Sequence, residues 1–250
     1  MKKILILLFA LCFIPGCATV YDPVARREVR TLFSEEQEIE LGGQLAGHIE
    51  QEYEICEDST EVLRELGNRI AENSDRAHLD YSFKVLKSDD INAFALPGGF
   101  IYMYTGLFEM LDEDEVAAVL GHEIAHVVAR HGIKRVQAVY GYQLLSLAGL
   151  IALGQRTDPA AAQELADTVF GIIMLGYSRR DELEADRLGT RYTIESGFDP
   201  YAMIRVLEKF EELQRGMPEI SFLRTHPPYQ GRIREVRIVI AAHEAKDDTE

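Results

Sequence analysis

The sequence carries the stretch GHEIAH at residues 121–126. Its two histidines, His122 and His126, are four residues apart, so on a helix they lie on one face and both imidazoles can reach the same metal ion. Zinc binds neutral imidazole nitrogens, and a catalytic zinc keeps one coordination position for water. Glu123 follows the first histidine, where its carboxylate can take a proton from that water. The stretch therefore predicts a zinc-dependent hydrolytic site on a helix.

The residues around this stretch predict a largely buried helix. Residues 112–115 form a helix start with Glu115 in the third helical position. We expect the helix to run from Glu113 to about His131, where Gly132 stops it. Most of the remaining positions are apolar, and a buried histidine needs a polar partner. A surface helix with ordinary solvated histidines is therefore the poorer interpretation.

A third metal ligand has to come from elsewhere in the chain. The extended metzincin pattern does not supply it, because that pattern requires Gly where Ala129 stands and His where Gly132 stands. The stretch SRRDELEAD at residues 178–186 offers a carboxylate instead, since Glu182 and Asp186 are four residues apart on one helix face. We expect Glu182 to bind the zinc and Asp186 to accept the spare N–H of a histidine ligand.

The sequence also predicts a role for each of the other polar residues near these ligands. Asp186 is expected to accept the N–H of His122. Asp181 and Glu184 lie on other faces of the same helix and are predicted to be solvated. His131, five residues after the second histidine, is predicted to point away from the ligand face and to be favoured at the helix end by the helix dipole.

Together these stretches resemble the gluzincin peptidases typified by the HtpX heat-shock protease and the CAAX prenyl protease. The stretches NAFALPGGFI at residues 92–101 and TGL at residues 105–107 are similar to the segment before the active helix in that family. The stretch THP at residues 225–227, with Arg232, is similar to the periplasmic BepA and LoiP branch. The resemblance covers about residues 34–240 and implies a metalloendopeptidase with one zinc ion per chain.

The resemblance also implies how a substrate binds. Strand 92–96, or its hairpin partner 100–104, would be an edge to which an extended peptide adds by main-chain hydrogen bonds. The candidates for this substrate strand are Asn92, Ala93, Phe94 and Ala95. A hairpin that only builds the core fits the same pattern, and both interpretations hold if each face has its own role.

His226 is a further candidate, because it precedes two prolines that fix the local backbone. By resemblance to the BepA branch, it would fill the fourth position on the zinc and silence the enzyme. Alternatively, it would act as a catalytic residue that hydrogen-bonds the tetrahedral oxyanion. Arg232 would assist either role. A loop histidine that only packs against its neighbours is the remaining interpretation.

The rest of the chain predicts an α+β fold. Alternating apolar residues mark three strands, at 81–85, 91–96 and 100–104. Helical periodicity dominates elsewhere. We therefore expect a mostly helical, zincin-like metallopeptidase domain over residues 34–245, with one small sheet beside the active-site helix and a charged tail at 246–250. The apolar stretch 136–153 is too short in its densest part to span a membrane, and core, lid and membrane contact remain open for it.

Composition limits the class of protein. The chain has 250 residues, 47% hydrophobic and 27% charged, so one globular domain or two small ones is expected and global disorder is excluded. The formal net charge is −16 without an offsetting run of Lys and Arg. This charge argues against nucleic acid as a partner.

The first residues predict a leader rather than part of the fold. Two lysines precede an apolar run, Ile4–Ile14, which has the length of a signal-peptide core. The sequence IPGC at residues 14–17 resembles a bacterial lipobox, so we expect residues 1–16 to be removed and Cys17 to be lipidated. An ordinary secretory signal is the alternative. Cys17 is not followed by the Asp that retains lipoproteins at the inner membrane, which favours an outer-membrane anchor facing the periplasm, with residues 17–33 as a tether.

We therefore expect a periplasmic zinc endopeptidase that acts on unfolded or misassembled polypeptides, the quality-control role that the resemblance implies. Two other functions remain open. One is a chaperone or assembly factor for outer-membrane proteins whose zinc site is blocked by His226. The other is a structural lipoprotein whose zinc only stabilises the fold. With Cys56 as the only thiol left after processing, zinc would replace a disulfide as the link between distant helices.

Overall fold

The strands of the protein form two small sheets. The structure is a computed structural model that describes residues 18–139, 167–216, 220–227 and 231–247. Within them the strands are β1 (Ala18–Asp22), β2 (Arg27–Thr31), β3 (Ser82–Leu86), β4 (Ala93–Leu96) and β5 (Phe100–Tyr104). β1 and β2 form an antiparallel hairpin, whereas the other sheet has the order β3-β5-β4. Since β3 runs parallel to β5 and β4 runs antiparallel to it, β4 is an edge strand of this described sheet.

Helices make up most of the described chain. In order they are α1 (Glu35–Glu52), α2 (Glu57–Ala71), α3 (Thr105–Phe108), α4 (Glu113–Val128), α5 (Arg179–Glu195), α6 (Ala202–Gly216), α7 (Ser221–Thr225) and α8 (Gly231–Asp247). Residues 131–139 and 167–173 are helical as well. The predicted α+β, mostly helical fold is confirmed. The sequence indicated one sheet, and the second is the β1–β2 hairpin, which lies in the segment expected to act as a tether.

Local sequence signals explain where three helices begin. The capping pairs are Ser34 with Gln37 before α1, Asp112 with Glu115 before α4, and Ser178 with Asp181 before α5. In each pair the cap side chain accepts the third backbone N–H of the helix, and the third side chain accepts the backbone N–H of the cap. These caps fix the starts of α4 and α5, the two helices that carry the predicted metal ligands.

Helix α4 lies at the centre of the fold, and each of its residues from Glu115 to Val128 is buried. It packs against α2, β4, α5 and α6. The larger apolar cluster surrounds it, while a smaller cluster fills the space between α1, the other face of the sheet and residues 167–173. Alternate residues of β4 serve the two clusters, as the two-residue period of a strand requires.

Helices α4 and α5 cross at two glycines. A Cβ atom on Gly189 would lie 2.7 Å from the backbone of Gly121, and one on Gly121 would lie 2.8 Å from the carbonyl oxygen of Gly189. Neither distance is possible for a real side chain, so only glycine permits this approach. The close crossing brings the residues that follow Gly121 next to the first turns of α5.

Helix α4 ends earlier than expected. The prediction that it continues to His131 and stops at Gly132 was wrong, because the helix ends at Val128 and Arg130 has a φ of 58°. This left-handed conformation is costly for a residue with a Cβ. It is held by the buried Arg130 guanidinium, which lies 2.7 Å from a Glu38 carboxylate oxygen and donates to the carbonyl oxygen of Phe33. The chain turns at Arg130 and starts a new helical segment at residue 131.

The β1–β2 hairpin is attached to this new segment. The Lys134 ammonium lies 3.1 Å from the buried Asp22 carboxylate, and the Gln137 amide donates to the Thr31 hydroxyl. Of the apolar stretch 136–153, only residues 136–139 are described, and Val136 is buried in the smaller cluster. In the part of the chain that the structure covers, no helix has the length and hydropathy needed to cross a bilayer.

Candidate metal centre

Four buried side chains from three parts of the chain converge at one point. His122 and His126 project from α4, Glu182 from the first turn of α5, and His226 from the residue after α7. None of the four is more than 1% exposed. All four were candidate site residues from the sequence, and the structure brings them together.

The ligand atoms of these residues have the spacing of a zinc site. His122 Nε2 is 3.1 Å from His126 Nε2 and 3.2 Å from His226 Nδ1. Oxygens of the Glu182 carboxylate lie 3.5 Å from the Nε2 atom of each α4 histidine and 3.1 Å from His226 Nδ1. Tetrahedral ligands about 2.0–2.1 Å from a zinc are about 3.3 Å from one another. The four groups therefore fit around a single cation of that size.

The chemistry of the donor set agrees with the spacing, because imidazole and carboxylate are typical zinc ligands. Within the described residues, Glu182 Oε2 makes no hydrogen bond, although Arg232 Nη1 forms an ion pair with it at 3.0 Å. Two ring nitrogens of α4 also face each other, and at most one of them can donate to the other. Buried polar atoms without partners are costly. A cation at this point would satisfy atoms that the surrounding side chains leave unsatisfied.

The charges of the site favour two of the ligands, His126 and Glu182, in their metal-binding forms. Burial, reinforced by the neighbouring His122, lowers the pKa of His126 well below its usual range, which keeps this imidazole neutral. Burial opposes ionisation of Glu182, but the charges of His226 and Arg232 outweigh it and hold the pKa of this carboxyl well below its usual range. A neutral imidazole and an ionised carboxylate are the forms that bind zinc.

Glu123 lies beside this group with its carboxylate uncommitted. It is fully buried, and neither of its oxygens makes a hydrogen bond to another described residue. Its Oε1 is 3.3 Å from His226 Nε2, outside hydrogen-bond geometry. Burial raises the pKa of the Glu123 carboxyl above its ordinary value. The side chain is therefore a buried proton acceptor next to the proposed ligands.

A buried ion pair lies behind His122. His122 Nδ1 is 3.0 Å from Asp186 Oδ1, and Arg232 donates to both Asp186 oxygens at 2.7 and 2.8 Å. Arg232 Nη1 also lies 3.0 Å from Glu182 Oε2. Burial opposes protonation of His122, but hydrogen bonds to Asp186 and Glu182 outweigh it and raise its pKa to about 9. The structure thus places Asp186 beside the histidine that the sequence paired it with, and it places Arg232 between two helices.

A different arrangement lies behind His126. His126 Nδ1 is 2.9 Å from His131 Nδ1, and His131 Nε2 is 3.1 Å from Glu184 Oε2. The ring of Tyr177 stacks on His126 with a centroid distance of 4.0 Å. The predictions that His131 points away from the site and that Glu184 is only solvated were therefore wrong. They assumed an unbroken helix, whereas the turn at Arg130 sends His131 back toward the site.

The predicted substrate strand lies next to the site but is covered. Since β5 is the central strand, β4 alone is the edge of the two candidates. Ala95 and Leu96, at the end of β4, line a narrow cleft with Pro97 and His126. The four candidates Asn92, Ala93, Phe94 and Ala95 are between 0 and 4% exposed.

Comparison with known proteins gives one family. The profile of peptidase family M48 matches residues 57–240. This range includes α2, the three-stranded sheet, α4 and α5, and most of α8. All the proposed ligands and Glu123 lie inside it.

Curated relatives agree with this match. The beta-barrel assembly-enhancing protease of Escherichia coli (strain K12) is 31% identical over 212 residues, which are 80% of this chain and 43% of that protein. The mitochondrial metalloendopeptidase OMA1 of Schizosaccharomyces pombe is 33% identical over 186 residues, 72% of this chain and 53% of that protein. The metalloprotease LoiP of Escherichia coli (strain K12) is 29% identical over 175 residues, 70% of this chain and 68% of that protein. The chain spans less than two thirds of the length of the first two relatives.

Proposed function

This chain belongs to peptidase family M48, and from that premise we propose that it is a zinc metalloendopeptidase that cleaves unfolded or misassembled envelope polypeptides. The family makes it a metallopeptidase, while the metal and the substrates are our proposal. One observation carries it. Four buried ligand atoms lie within 4.8 Å of one another, beside a Glu123 carboxylate with no hydrogen bond to the described chain.

We assign one zinc per chain to His122, His126 and Glu182. When bound, zinc would act as a Lewis acid that polarises the scissile carbonyl and makes the attacking water more acidic. The chain supports this by keeping His126 neutral and Glu182 ionised. Asp186 accepts the Nδ1–H of His122, which fixes the tautomer with Nε2 directed at the other ligands.

We assign Glu123 as the general base. Its carboxylate takes a proton from the attacking water and later passes it to the leaving amine. The raised pKa of Glu123 serves the first step, because a carboxylate of higher pKa is a stronger base toward that water. Burial keeps bulk water away from this transfer.

We propose that the substrate adds as an extended strand to β4, the edge strand of the described sheet. The end of β4 lies in the same cleft as His126, which would bring a bound peptide to the metal. Since residues 92–95 are almost fully buried, binding requires the cover over β4 to move. This requirement suits substrates that are unfolded, because a peptide adds to a sheet edge in an extended conformation.

His226 supports a second candidate function. Its Nδ1 lies among the ligand atoms, 3.1 Å from Glu182 and 3.2 Å from His122. A histidine in this position would take the fourth place on the metal and keep the peptidase latent. The chain would then work mainly by binding, as a chaperone or assembly factor for outer-membrane proteins. Moved away from the ligands, His226 would instead stabilise the oxyanion of the reaction.

We further propose that the protein is anchored to the outer membrane, facing the periplasm, through lipidated Cys17 after removal of residues 1–16. The sequence IPGC at residues 14–17 carries this proposal. In cells, the Cys17→Ser variant should move from the membrane fraction to the soluble fraction. A wild-type N-terminus that begins elsewhere than Cys17 by mass spectrometry would contradict the anchor but leave the peptidase proposal intact.

The decisive test of the peptidase is Glu123→Gln, with Glu113→Gln as the matched control in the exposed first turn of α4. We expect Glu123→Gln to keep its zinc and to lose peptide hydrolysis by about 100-fold or more. Glu113→Gln should behave as wild type. Zinc content by mass spectrometry and cleavage of unfolded casein are the two measurements. Hydrolysis that survives in Glu123→Gln would refute the mechanism.

The variant His226→Ala distinguishes the two candidate functions through its rate of casein cleavage relative to wild type. If His226 keeps the site latent, the variant should cleave casein faster than wild type. If His226 stabilises the oxyanion, the variant should be about 100-fold slower at unchanged zinc content. No cleavage by either protein, together with full zinc occupancy, would favour the assembly factor.

A further inference from the structure

We propose that His131 is a positioning residue for the metal ligand His126. Glu184, near the protein surface, accepts a hydrogen bond from His131 and so completes a series of hydrogen bonds that starts at His126. The inference rests on the proposed zinc site. It assigns a role to two residues outside the ligand set, and their contacts are direct. His131 Nδ1 lies 2.9 Å from His126 Nδ1, and His131 Nε2 lies 3.1 Å from Glu184 Oε2.

The direction of the hydrogen bonds follows from the ligand geometry. His126 directs Nε2 at the other ligand atoms, so in the neutral ligand the single proton is on Nδ1. That Nδ1–H must then donate to His131 Nδ1, which has to be the bare nitrogen of its ring. The remaining proton of a neutral His131 is on Nε2, where it donates to Glu184. Every donor in this series of hydrogen bonds therefore has an acceptor. The last one is the Glu184 carboxylate, and Asp181 Oδ1 lies 3.6 Å from the same His131 nitrogen.

The backbone places His131 in this position at a cost. Arg130 adopts a left-handed conformation that is unfavourable for a residue with a Cβ, and it does so immediately before His131. The buried Glu38–Arg130 ion pair holds this turn. Without the turn, His131 would lie five residues along a continuous helix from His126, on a different face. The fold thus keeps an unfavourable residue conformation where it brings His131 to the ligand.

Burial excludes the simpler role of a surface histidine at a helix end. His131 is 3% exposed, and the Glu184 side chain that accepts its hydrogen bond is 19% exposed. The hydrogen bond from His131 lowers the pKa of the Glu184 carboxyl, in agreement with an ionised acceptor. Tyr177 covers one face of the His126 ring, so the ring is fixed both by stacking and at its outer nitrogen.

This arrangement should increase the affinity for zinc. An acceptor on the outer nitrogen fixes the ligand tautomer and makes the metal-facing nitrogen more basic, and loss of such a partner typically weakens metal binding about 10- to 100-fold. For His122, the corresponding acceptor is the carboxylate of Asp186. For His126, the acceptor is the imidazole of His131, and the carboxylate of Glu184 acts through this second ring.

The experiment compares His131→Phe, His131→Asn and His78→Phe in the purified protein. Phe keeps the ring and removes the acceptor, whereas the Asn side-chain oxygen can occupy the place of Nδ1. His78 is a matched control, because it is 61% exposed and its carboxylate partner is Glu35, outside the proposed ligand set. The readouts are the Kd for zinc, from competition with a chromophoric chelator, and the visible absorption spectrum of the Co²⁺-substituted protein.

We expect His131→Phe to weaken zinc binding about 10- to 100-fold and to alter the Co²⁺ spectrum, with a smaller loss for His131→Asn and none for His78→Phe. A Kd for His131→Phe within about twofold of wild type, below the loss expected for such a partner, would overturn the inference. If His131→Phe does not fold, Glu184→Ala carries the test, since it removes only the outer acceptor. About 10-fold weaker binding supports the inference, and unchanged binding overturns it. Failure of wild type itself to bind zinc would refute the proposed function, which is a separate outcome.

Discussion

The two α4 histidines proposed as ligands are supported from behind in opposite ways. His122 is backed by Asp186 and then by Arg232, and all three are at most 1% exposed. His126 is backed by His131 and then by Glu184, whose side chain is 19% exposed. The first support is a charged pair inside the protein. The second consists of an imidazole ring that ends on a carboxylate near solvent.

This difference separates stability from metal affinity. A buried ion pair that loses one partner leaves the other charge uncompensated in a medium of low dielectric constant. A carboxylate near the surface can be replaced by water, so its loss costs little folding free energy. Both supports hold a histidine ring by its outer nitrogen, and both should therefore affect zinc binding. Only the first should also be essential to the fold.

The largest effect is expected for Asp186→Ala. It removes the buried carboxylate to which Arg232 donates twice, and breaking a buried pair in this way costs about 3–5 kcal/mol of unfolding free energy. Glu184→Ala should cost less than about 1 kcal/mol. The measurement is the free energy of unfolding of both variants in urea, in the zinc-free form. Equal losses for the two variants would remove the distinction drawn above.

Removing zinc tests whether the metal stabilises the folded state by linking α4 to α5. Zinc bound to α4 and Glu182 of α5 would stabilise the folded state by about 2.7 kcal/mol when free zinc is one hundred times its Kd. Chelation should therefore lower the Tm of wild type. Asp186→Ala should be stabilised less by the same zinc concentration, because its Kd for zinc is larger. A calorimetric melt that does not change on chelation would mean that zinc has no share in stability.

The third prediction concerns the crossing that both supports depend on. Gly189→Ala would place a Cβ atom 2.7 Å from the backbone of Gly121, so α5 must shift away from α4. Overpacking of this kind costs about 1–3 kcal/mol. The matched control is Gly47→Ala in α1, where a Cβ would meet nothing within 4 Å and where alanine should stabilise the helix by about 1 kcal/mol.

Thermal unfolding and the zinc Kd of the two glycine variants complete this test. Both Asp186 and Glu184 lie on α5, so a shift of this helix should weaken zinc binding through both histidines in Gly189→Ala. Normal zinc binding in a destabilised Gly189→Ala would show that the two supports tolerate movement of α5.

Sequence reasoning reached the Asp186 part of the first support because Asp186 lies on a regular helix, but it assigned Arg232 to assist His226 and did not predict its pairing with Asp186. His122 and His126, like Glu182 and Asp186, are four residues apart, and a helix converts that spacing directly into a shared face. The capping box before α4 was equally readable, since it depends on residues three apart. The fold class and the group of candidate ligands followed from such local rules.

The second support escaped because it depends on a break in the helix. An arginine gives no sequence signal for a left-handed conformation, unlike Gly or Asn. The conformation at Arg130 is held by Glu38, 92 residues earlier in the chain, so only tertiary contacts reveal it. The placement of His226 among the ligands was left as one of three possibilities for a similar reason, since no periodicity connects a loop to a distant helix.

The smallest expected effect concerns this break and is tested with Arg130→Gly and Arg130→Ala. Both variants lose the ion pair with Glu38, which keeps its contact with Arg76. They differ in the left-handed residue itself, where glycine is unstrained and alanine is not. We expect the glycine variant to be more stable by about 1 kcal/mol in urea unfolding. It should also bind zinc more tightly than the alanine variant, because its turn keeps His131 beside His126. Equal stability with equal zinc affinity would mean that the turn at residue 130 does not position His131.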